Sequence, residues 1–274
     1  MTDWQAEKQW YAAQELAQRR TWYADVVADY DRVRPRYPNE VIEGAIAAAQ
    51  LSPSALVLEI GCGPGVITFS LAQRGLQLTC LEPNPKFYEL MQQKTAHTAQ
   101  IQVENLAFEQ WAVQPGRFAA VVAANALHWV DPNVAYAKAA QALQPDGRLI
   151  LFWHMKPEPT LDIFQLLRPA YAGLPPLFNY EGADQQRQIA QGLGQDMIAS
   201  GYFQDLQMQF TPWSRVYSAA DYLALLGTFS PYLRLNSEER DRLFSQLKTY
   251  LDQELNGKIE LFNFCVFQVG TVRP

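Results

Sequence analysis

The segment Ala55-Leu56-Val57-Leu58-Glu59-Ile60-Gly61-Cys62-Gly63-Pro64-Gly65 constrains this chain more than any other. A short, nearly continuous apolar run, preceded by Pro53, suits a strand buried on both faces. Strands of that kind belong to parallel sheets whose faces are covered by helices. The glycines that follow let the backbone turn tightly and approach a ligand at the strand's carboxyl end, and residues 66–73 then read as a helix.

The rest of the first half keeps the same rhythm. Strand-like stretches at 76–81, 101–104, 118–124 and 148–153 alternate with helix-like stretches at 39–50, 85–94 and 132–143. Alternation predicts parallel strands joined by right-handed crossovers, an α/β sheet with helices on both faces. Beyond Met155 the rhythm changes, with Pro157, Pro159, Pro169, Pro175 and Pro176 ahead of a helix at about 184–200. Residues 206–210 and 262–269 alternate apolar and polar side chains as half-wet strands do. Between them lie two helices, at about 219–226 and 237–254, the second capped by Asn236 or Ser237 with Glu238 and Glu239 in its first turn. Two late strands separated by a helical insert would pair antiparallel at one sheet edge. Upstream, residues 4–20 read as a modestly amphipathic helix, and residues 30–38 as a loop whose two prolines hold their predecessors extended.

Charge and composition exclude several function classes. The chain has 274 residues, enough for one core plus an addition. Its 22 Lys and Arg against 28 Asp and Glu leave a net charge of −6, which disfavours a broad cationic face for nucleic acid. No apolar run approaches the roughly 18 residues of a membrane span. The start, Met1-Thr2-Asp3-Trp4-Gln5, lacks an apolar signal core, and the three cysteines, Cys62, Cys80 and Cys265, are scattered, so a soluble protein of the reducing cytoplasm is expected. No His, Cys or carboxylate cluster has metal-ligand spacing, so no metal is expected. Aromatic residues reach 12 % while charged residues stop at 18 %, against a usual figure of about 25 %. That surplus of rings asks for a place.

The glycine pattern is G-x-G-x-G, and a dinucleotide fingerprint would need glycine or alanine where Val66 stands. Pyrophosphate binding therefore loses support. The next strand, Leu78-Thr79-Cys80-Leu81, ends on Glu82. A carboxylate there can accept two hydrogen bonds from vicinal ribose hydroxyls of whichever nucleoside is bound.

Taken together these residues resemble the class I S-adenosylmethionine-dependent methyltransferases, in which E-x-G-x-G-x-G follows the first strand and an acid ends the second. The resemblance extends to Asn105-Leu106-Ala107-Phe108-Glu109-Gln110-Trp111 on the adenine side, to the A-x-H-W-V-x-P variant in Ala126-Leu127-His128-Trp129-Val130-Asp131-Pro132, and to the turn Gln144-Pro145-Asp146-Gly147. Tyr30-Asp31-Arg32-Val33-Arg34-Pro35-Arg36-Tyr37-Pro38 is similar to a segment of the small-molecule branch that includes trans-aconitate methyltransferase-like proteins. The resemblance implies a Rossmann-like seven-stranded sheet, with strands one to five parallel and an antiparallel edge hairpin. It also implies S-adenosylmethionine as cofactor, with S-adenosylhomocysteine as product.

Carried over by motif, the cofactor site comprises Glu59, Gly61, Cys62, Gly63, Gly65, Glu82, Pro83, Ala107, Phe108, Asn125 and Ala126, with Tyr30 and Arg34 from upstream. Phe108 equally suits the core. The acid that often receives the adenine amino group would align with Asn105 or Ala107, neither of them acidic. Asn125 closes the fourth strand, where a turn-forming Asn is the plain alternative. His128 could face the methyl group as positioner or base, or merely cap the next helix; His128 and Asn125 are the catalytic candidates. Tyr30, Arg34 and Tyr37 either staple the arm to the sheet or contact the methionyl carboxylate or the substrate, and the fork of Arg34 matches a carboxylate. Tyr37, Trp129, His154 and Arg215 are assigned to the substrate pocket, while Lys156, Arg215 and Arg234 gain interest if the substrate is acidic.

The expectation is methyl transfer by in-line displacement to a small-molecule acceptor, with a carboxylate favoured because His is scarce and arginines flank the motifs. A cyclopropane-fatty-acid-synthase-like enzyme and a non-catalytic cofactor-binding scaffold are the alternatives. The D-P-P-Y-like signature of amino-directed nucleic-acid enzymes is absent at Asn125-Ala126-Leu127-His128, and the paired-glutamate loop of arginine-directed enzymes is missing too. The chain divides into an N-terminal helical arm, 1–38, and a methyltransferase domain, 39–274, with lid inserts at 155–203 and 212–258. Arm and inserts hold Trp4, Trp10, Trp22, Tyr23, Tyr171, Phe178, Tyr180, Trp213, Tyr217, Tyr222, Phe229 and Tyr232, which places the ring surplus in a lid. A monomer or homodimer is expected.

Overall fold

Successive residues of the central strands divide between two apolar cores, which is how one sheet comes to be buried on both faces. Leu58, Val121, Leu149 and Leu151 point into one, Val57, Ala120, Val122 and Ile150 into the other. The computed structural model describes residues 10, 11 and 13–274. In chain order the elements are α1 (Leu16–Thr21), α2 (Val27–Val33), α3 (Asn39–Ala48), β1 (Leu56–Ile60), α4 (Thr68–Ala72), β2 (Gln77–Leu81), α5 (Pro85–Thr95), β3 (Ile101–Glu104), β4 (Phe118–Ala124), α6 (Pro132–Ala142) and β5 (Leu143–His154). There follow α7 (Leu161–Leu167), α8 (Gly182–Ala199), β6 (Phe203–Ser218), α9 (Ala219–Gly227), α10 (Ser230–Leu233), α11 (Ser237–Glu254) and β7 (Lys258–Val272).

The seven strands form one sheet in the order β3-β2-β1-β4-β5-β7-β6. Strands β1 to β5 run parallel, and β7 pairs antiparallel with both β5 and β6. The chain reverses its strand order between β1 and β4, so the carboxyl ends of those two strands open a crevice, the usual ligand position in such sheets.

Three expectations need correction. The helix foreseen over 4–20 lies partly outside the described residues, and its described part breaks before α1, with Glu15 extended at φ −56° and ψ 140°. Tertiary contacts override the local preference there, because Trp10 and Tyr11 pack on Trp22 and Trp129. The loop foreseen at 30–38 is helical up to Val33, since a proline restricts only the residue immediately before it, here Arg34 and Tyr37. The edge strands are longer than their alternating stretches, pairing from Phe203↔Val272 to Ser218↔Lys258, so residues 212–218 of the second insert are strand. Pro212 is tolerated because β6 is an edge.

Helix α8, inside the first insert, covers the sheet. Its Ala190, Leu193 and Met197 join the core beneath β5 and β7. Glycine permits the close approach: a Cβ on Gly194 would lie 2.9 Å from Leu206 and 3.1 Å from the Gln268 amide. Between them, the fully buried Gln268 donates to the Ala190 carbonyl at 2.6 Å and accepts from the Trp153 indole at 3.0 Å. A third core lies over the carboxyl ends of the strands, where Val33 meets Leu167, Phe178, Tyr222, Leu226, Tyr232 and Leu247. The N-terminal arm, through Val33, and the two inserts thus share one roof over the crevice.

Candidate functional site

The loop after β1 and the end of β2 are built as one unit. Gly61, Gly63 and Gly65 have φ of 65°, 54° and 85°, conformations that L side chains rarely adopt. At Gly65 even the space is absent, since a Cβ would lie 2.4 Å from Phe69 and 2.9 Å from Met91 Sδ. At Gly63 the opposite holds: a Cβ would meet nothing within 4 Å, so this backbone borders open cavity. The amides of Gly61 and Cys62 donate to the Leu81 carbonyl at 2.8 and 3.2 Å, which ties the loop to β2.

Glu82 is the hub. Its Oε2 accepts the Gly63 N–H at 2.7 Å and its Oε1 the Asn84 N–H at 2.7 Å, and each oxygen keeps acceptor capacity toward the cavity. Burial pushes the carboxyl up to about 7, against the pull of those two N–H groups. Glu59, also buried, is pushed up to about 7 by desolvation and receives the Cys80 thiol at 3.6 Å. Cys62 and Cys80 are buried thiols whose pKa values are raised. Asn84 caps α5, its Oδ1 accepting from Lys86 and Phe87, while its buried Nδ2 has no partner.

After β3, Ala107 and Phe108 line the cavity. Phe108 also stacks on Trp111 at 6.1 Å, so its core and pocket roles coincide. The Asn105 amide donates to the Glu82 and Pro83 carbonyls at 2.9 and 3.3 Å, which spends it on the backbone.

Asn125, at φ 48°, ties strand ends together. Its Oδ1 accepts the Tyr37 hydroxyl at 2.6 Å and the His154 N–H at 2.8 Å, and its Nδ2 donates to the His154 carbonyl at 3.1 Å. Both ends of the amide therefore hold protein partners. His128 sits in a single 3₁₀ turn, Leu127–Trp129, with its ring 5.0 Å from Tyr11 and 5.8 Å from Trp153, and it lines the cavity. The ring of His154 lies 4.4 Å from Tyr37, with Nδ1 3.2 Å from Cys265 Sγ. Burial pulls the imidazole down to about 3, so it is neutral near pH 7.

Glu59, Gly61, Cys62, Gly63, Glu82, Pro83, Ala107, Phe108, Asn125 and Ala126 all border one cavity of about 330 Å³, together with Tyr30, Arg34, Trp129 and His154. Gly65 stands behind its loop. Tyr37 is buried beneath His154 and outside the cavity wall. Arg215 is exposed on β6 with its guanidinium 4.7 Å from the Tyr217 ring, away from the cavity. Its register on a strand longer than foreseen turns it outward.

No motif marked several residues that border the cavity. Arg19 donates to Glu109 at 2.7 Å and to the Trp129 carbonyl, and Arg20 Nε to the Pro83 carbonyl at 3.2 Å, so the arm lies across the glycine loop's cavity. The Tyr23 hydroxyl lies 2.9 Å from Ser230 Oγ, closing arm against α10. Arg34 is held between Tyr30 and Phe229, 4.5 and 4.1 Å from their centroids, and donates to Thr228 Oγ1 at 2.8 Å. For Arg19, Arg20 and Tyr23 the only sequence signal was the density of Arg and rings in the arm, whereas Tyr30 and Arg34 were marked by their motif. Among the described residues no group of three His, Cys, Asp or Glu converges as metal ligands do, and no helix is long and apolar enough to cross a membrane.

Residues 57–147 match a family model described as a methyltransferase domain. The chain is 33% identical over 138 residues to an uncharacterized methyltransferase of Mycobacterium tuberculosis (strain ATCC 25618 / H37Rv), a stretch covering 50% of this chain and 53% of that protein. The chain thus spans about half the length of the curated relatives it matches first. Among solved structures it is similar to the YcgJ protein of Bacillus subtilis, with a TM-score of 0.56 at 15% identity over 86% of this chain and 100% of that one. It is also similar to Haemonchus contortus phosphoethanolamine N-methyltransferase 2 in complex with phosphomonomethylethanolamine and S-adenosylhomocysteine, with a TM-score of 0.53 at 13% identity over 94% and 59% of the two chains.

Proposed function

We propose that this chain, whose residues 57–147 match a methyltransferase domain, is a class I S-adenosylmethionine-dependent enzyme that transfers a methyl group to a small-molecule acceptor entering beneath the aromatic roof. One observation carries this reading: the Glu82 carboxylate, pinned by Gly63 and Asn84, faces a cavity that continues without a break from the glycine loop to the lid.

The residues present fit the cofactor. Open space above the Gly63 backbone and the unpartnered buried Asn84 Nδ2 at the rim suit a bound nucleoside. Glu82 would accept its ribose hydroxyls, Ala107 and Phe108 would hold its adenine, and Tyr30 with Arg34 would meet its methionyl end. S-adenosylmethionine supplies a methyl group on a positively charged sulfur, open to in-line displacement. The chain's own part is to hold the acceptor collinear and dry, and such orientation contributes roughly 7 to 11 kcal/mol. Asn125 acts as a positioning residue, since its amide fixes the ends of β4 and β5 relative to Tyr37. We assign to His128 the proton of an acceptor hydroxyl, because His154 is held neutral and far too weak a base. The arm and the segments around α7, α9 and α10 serve as the lid.

A carboxylate acceptor, anticipated from the arginines near the motifs, finds those cations engaged. Arg34, already bonded to Thr228, is assigned to the cofactor's methionyl end, and Arg215 lies outside the cavity. Calorimetric titration with S-adenosylmethionine, S-adenosylhomocysteine and NAD tests the cofactor assignment. Binding of the first two with none of the third is expected; binding of NAD alone would overturn it.

A further inference from the structure

The lid half of the cavity is walled by Tyr171, Phe178, Tyr222, Phe229 and Tyr232, with Phe164 behind them. Three of these rings carry hydroxyls that meet. Tyr171 Oη lies 3.3 Å from Tyr232 Oη, and the Tyr222 hydroxyl lies near enough to act electrostatically on Tyr171. Three phenols bring three protons and the Tyr171–Tyr232 bond uses one of them, so two O–H groups and several lone pairs remain for a ligand. Burial raises the pKa of all three, which keeps them uncharged.

With the cofactor bound as proposed, the charged groups at this end have partners. Glu158 is buried and saturated: Oε1 accepts from the Glu181 N–H at 2.9 Å and meets Lys156 Nζ at 3.2 Å. Its Oε2 accepts from the Gly182 N–H at 2.9 Å and the Gln186 amide at 3.2 Å. Four donors use the four acceptor positions of a carboxylate. Lys156 further donates to the Asn179 carbonyl at 2.6 Å. Lys156 Nζ also lies 3.9 Å from Glu181 Oε1, and Arg34, sandwiched between two rings and bonded to Thr228, is left by the proposed function to the methionyl carboxylate. An ionic acceptor would bury its charge without a partner or dismantle one of these pairs, and either is costly.

We infer that the methyl acceptor is an uncharged, flat aromatic molecule bearing a hydroxyl or carbonyl, stacked among the lid rings and read by the hydroxyls of Tyr171, Tyr222 and Tyr232. The inference rests on the proposed methyl transfer for the role of this chamber, and it replaces a charge-matched acceptor with a ring-matched one.

Calorimetry on the full chain, with and without S-adenosylhomocysteine, tests it, using three probes of one shape: 2-naphthol, 2-naphthoate and 2-naphthylmethylammonium. 2-Naphthol is expected to bind at least about tenfold more tightly than either ion, the scale of one lost hydrogen bond or unpaired group. The variants Tyr171→Phe and Tyr232→Phe keep the rings and are expected to weaken 2-naphthol about fivefold or more while leaving S-adenosylhomocysteine affinity unchanged. Equal or tighter binding of an ion, binding by none of the three, or full 2-naphthol affinity in both variants would each overturn the inference. The S-adenosylhomocysteine titration separates the two readings. Failure of that titration with the probe order intact defeats the cofactor assignment alone, whereas normal nucleoside binding with an ionic preference defeats the uncharged acceptor alone.

Discussion

The N–H of Gly63 and Oε2 of Glu82 lie 2.7 Å apart, so the left-handed turn after β1 positions the acid that ends β2. Replacing Glu82 with Ala is expected to weaken S-adenosylhomocysteine by about 1.5 to 3 kcal/mol, the range for hydrogen bonds to a charged group. Titration calorimetry checks this, and a change below about 0.5 kcal/mol would remove Glu82 from the ribose.

Protonation of the same carboxyl sets a pH dependence. Glu82 has an ordinary value of 4.5 when unfolded and about 7 when folded. Ribose hydroxyls need its ionised form, so affinity should rise as pH climbs through about 7 and level off above, approaching tenfold per pH unit below it. The cofactor-free fold carries the opposite sign. A raised carboxyl pKa favours the folded state fully below 4.5, and that contribution is lost as pH rises toward about 7. Titrations in the wild-type chain and in Glu82→Ala should show the affinity slope only in the former.

Tyr37→Phe removes the hydroxyl that Asn125 accepts at 2.6 Å while leaving the ring on His154. A loss of about 0.5 to 1.5 kcal/mol in stability is expected. Thermal unfolding should fall by roughly 2 to 4 °C for each 1 kcal/mol in a chain of this size. An unchanged midpoint would mean that the bond does not hold the strand ends.

Arg19→Ala is expected to loosen the arm, because it removes a partner from Glu109 and from the Trp129 carbonyl in a pair whose side chains are only 12% and 17% exposed. About 1 to 3 kcal/mol is at stake for a partly buried charge-assisted bond. Hydrogen exchange should accelerate over residues 16–21 with the sheet unaffected, and uniform acceleration would speak against a separately opening arm.

Gly65→Ala combines a φ of 85° with a Cβ placed 2.4 Å from Phe69. A destabilisation of about 1 to 3 kcal/mol is expected from the strained backbone and as much again from the overlap. Chemical denaturation of the variant measures it, and a stability equal to wild type would show that Phe69 can yield.

Much of the scaffold could be read in the chain because its determinants are local. The apolar run before Gly61, the acid ending β2, and Asn236 or Ser237 ahead of Glu238 and Glu239 each act within a few residues. The two half-wet strands also announced an edge pair. Their lengths did not show, because residues 212–218 carry no alternation strong enough to outweigh Pro212 and are held by pairing with β7. The helical part of 30–38 was hidden by prolines whose restriction reaches back only one residue.

Sequence by itself determined the order of strand, glycine turn and acid, because turn chemistry and apolar periodicity are short-range. Tertiary structure decided which side chains remain available at the site. Arg34 meets Thr228 across 194 positions, Tyr37 meets Asn125 across 88, and Tyr171 meets Tyr232 across 61. Whether an arginine is an open fork or a spent one depends on partners that only folding brings within about 3 Å, and no local pattern records them.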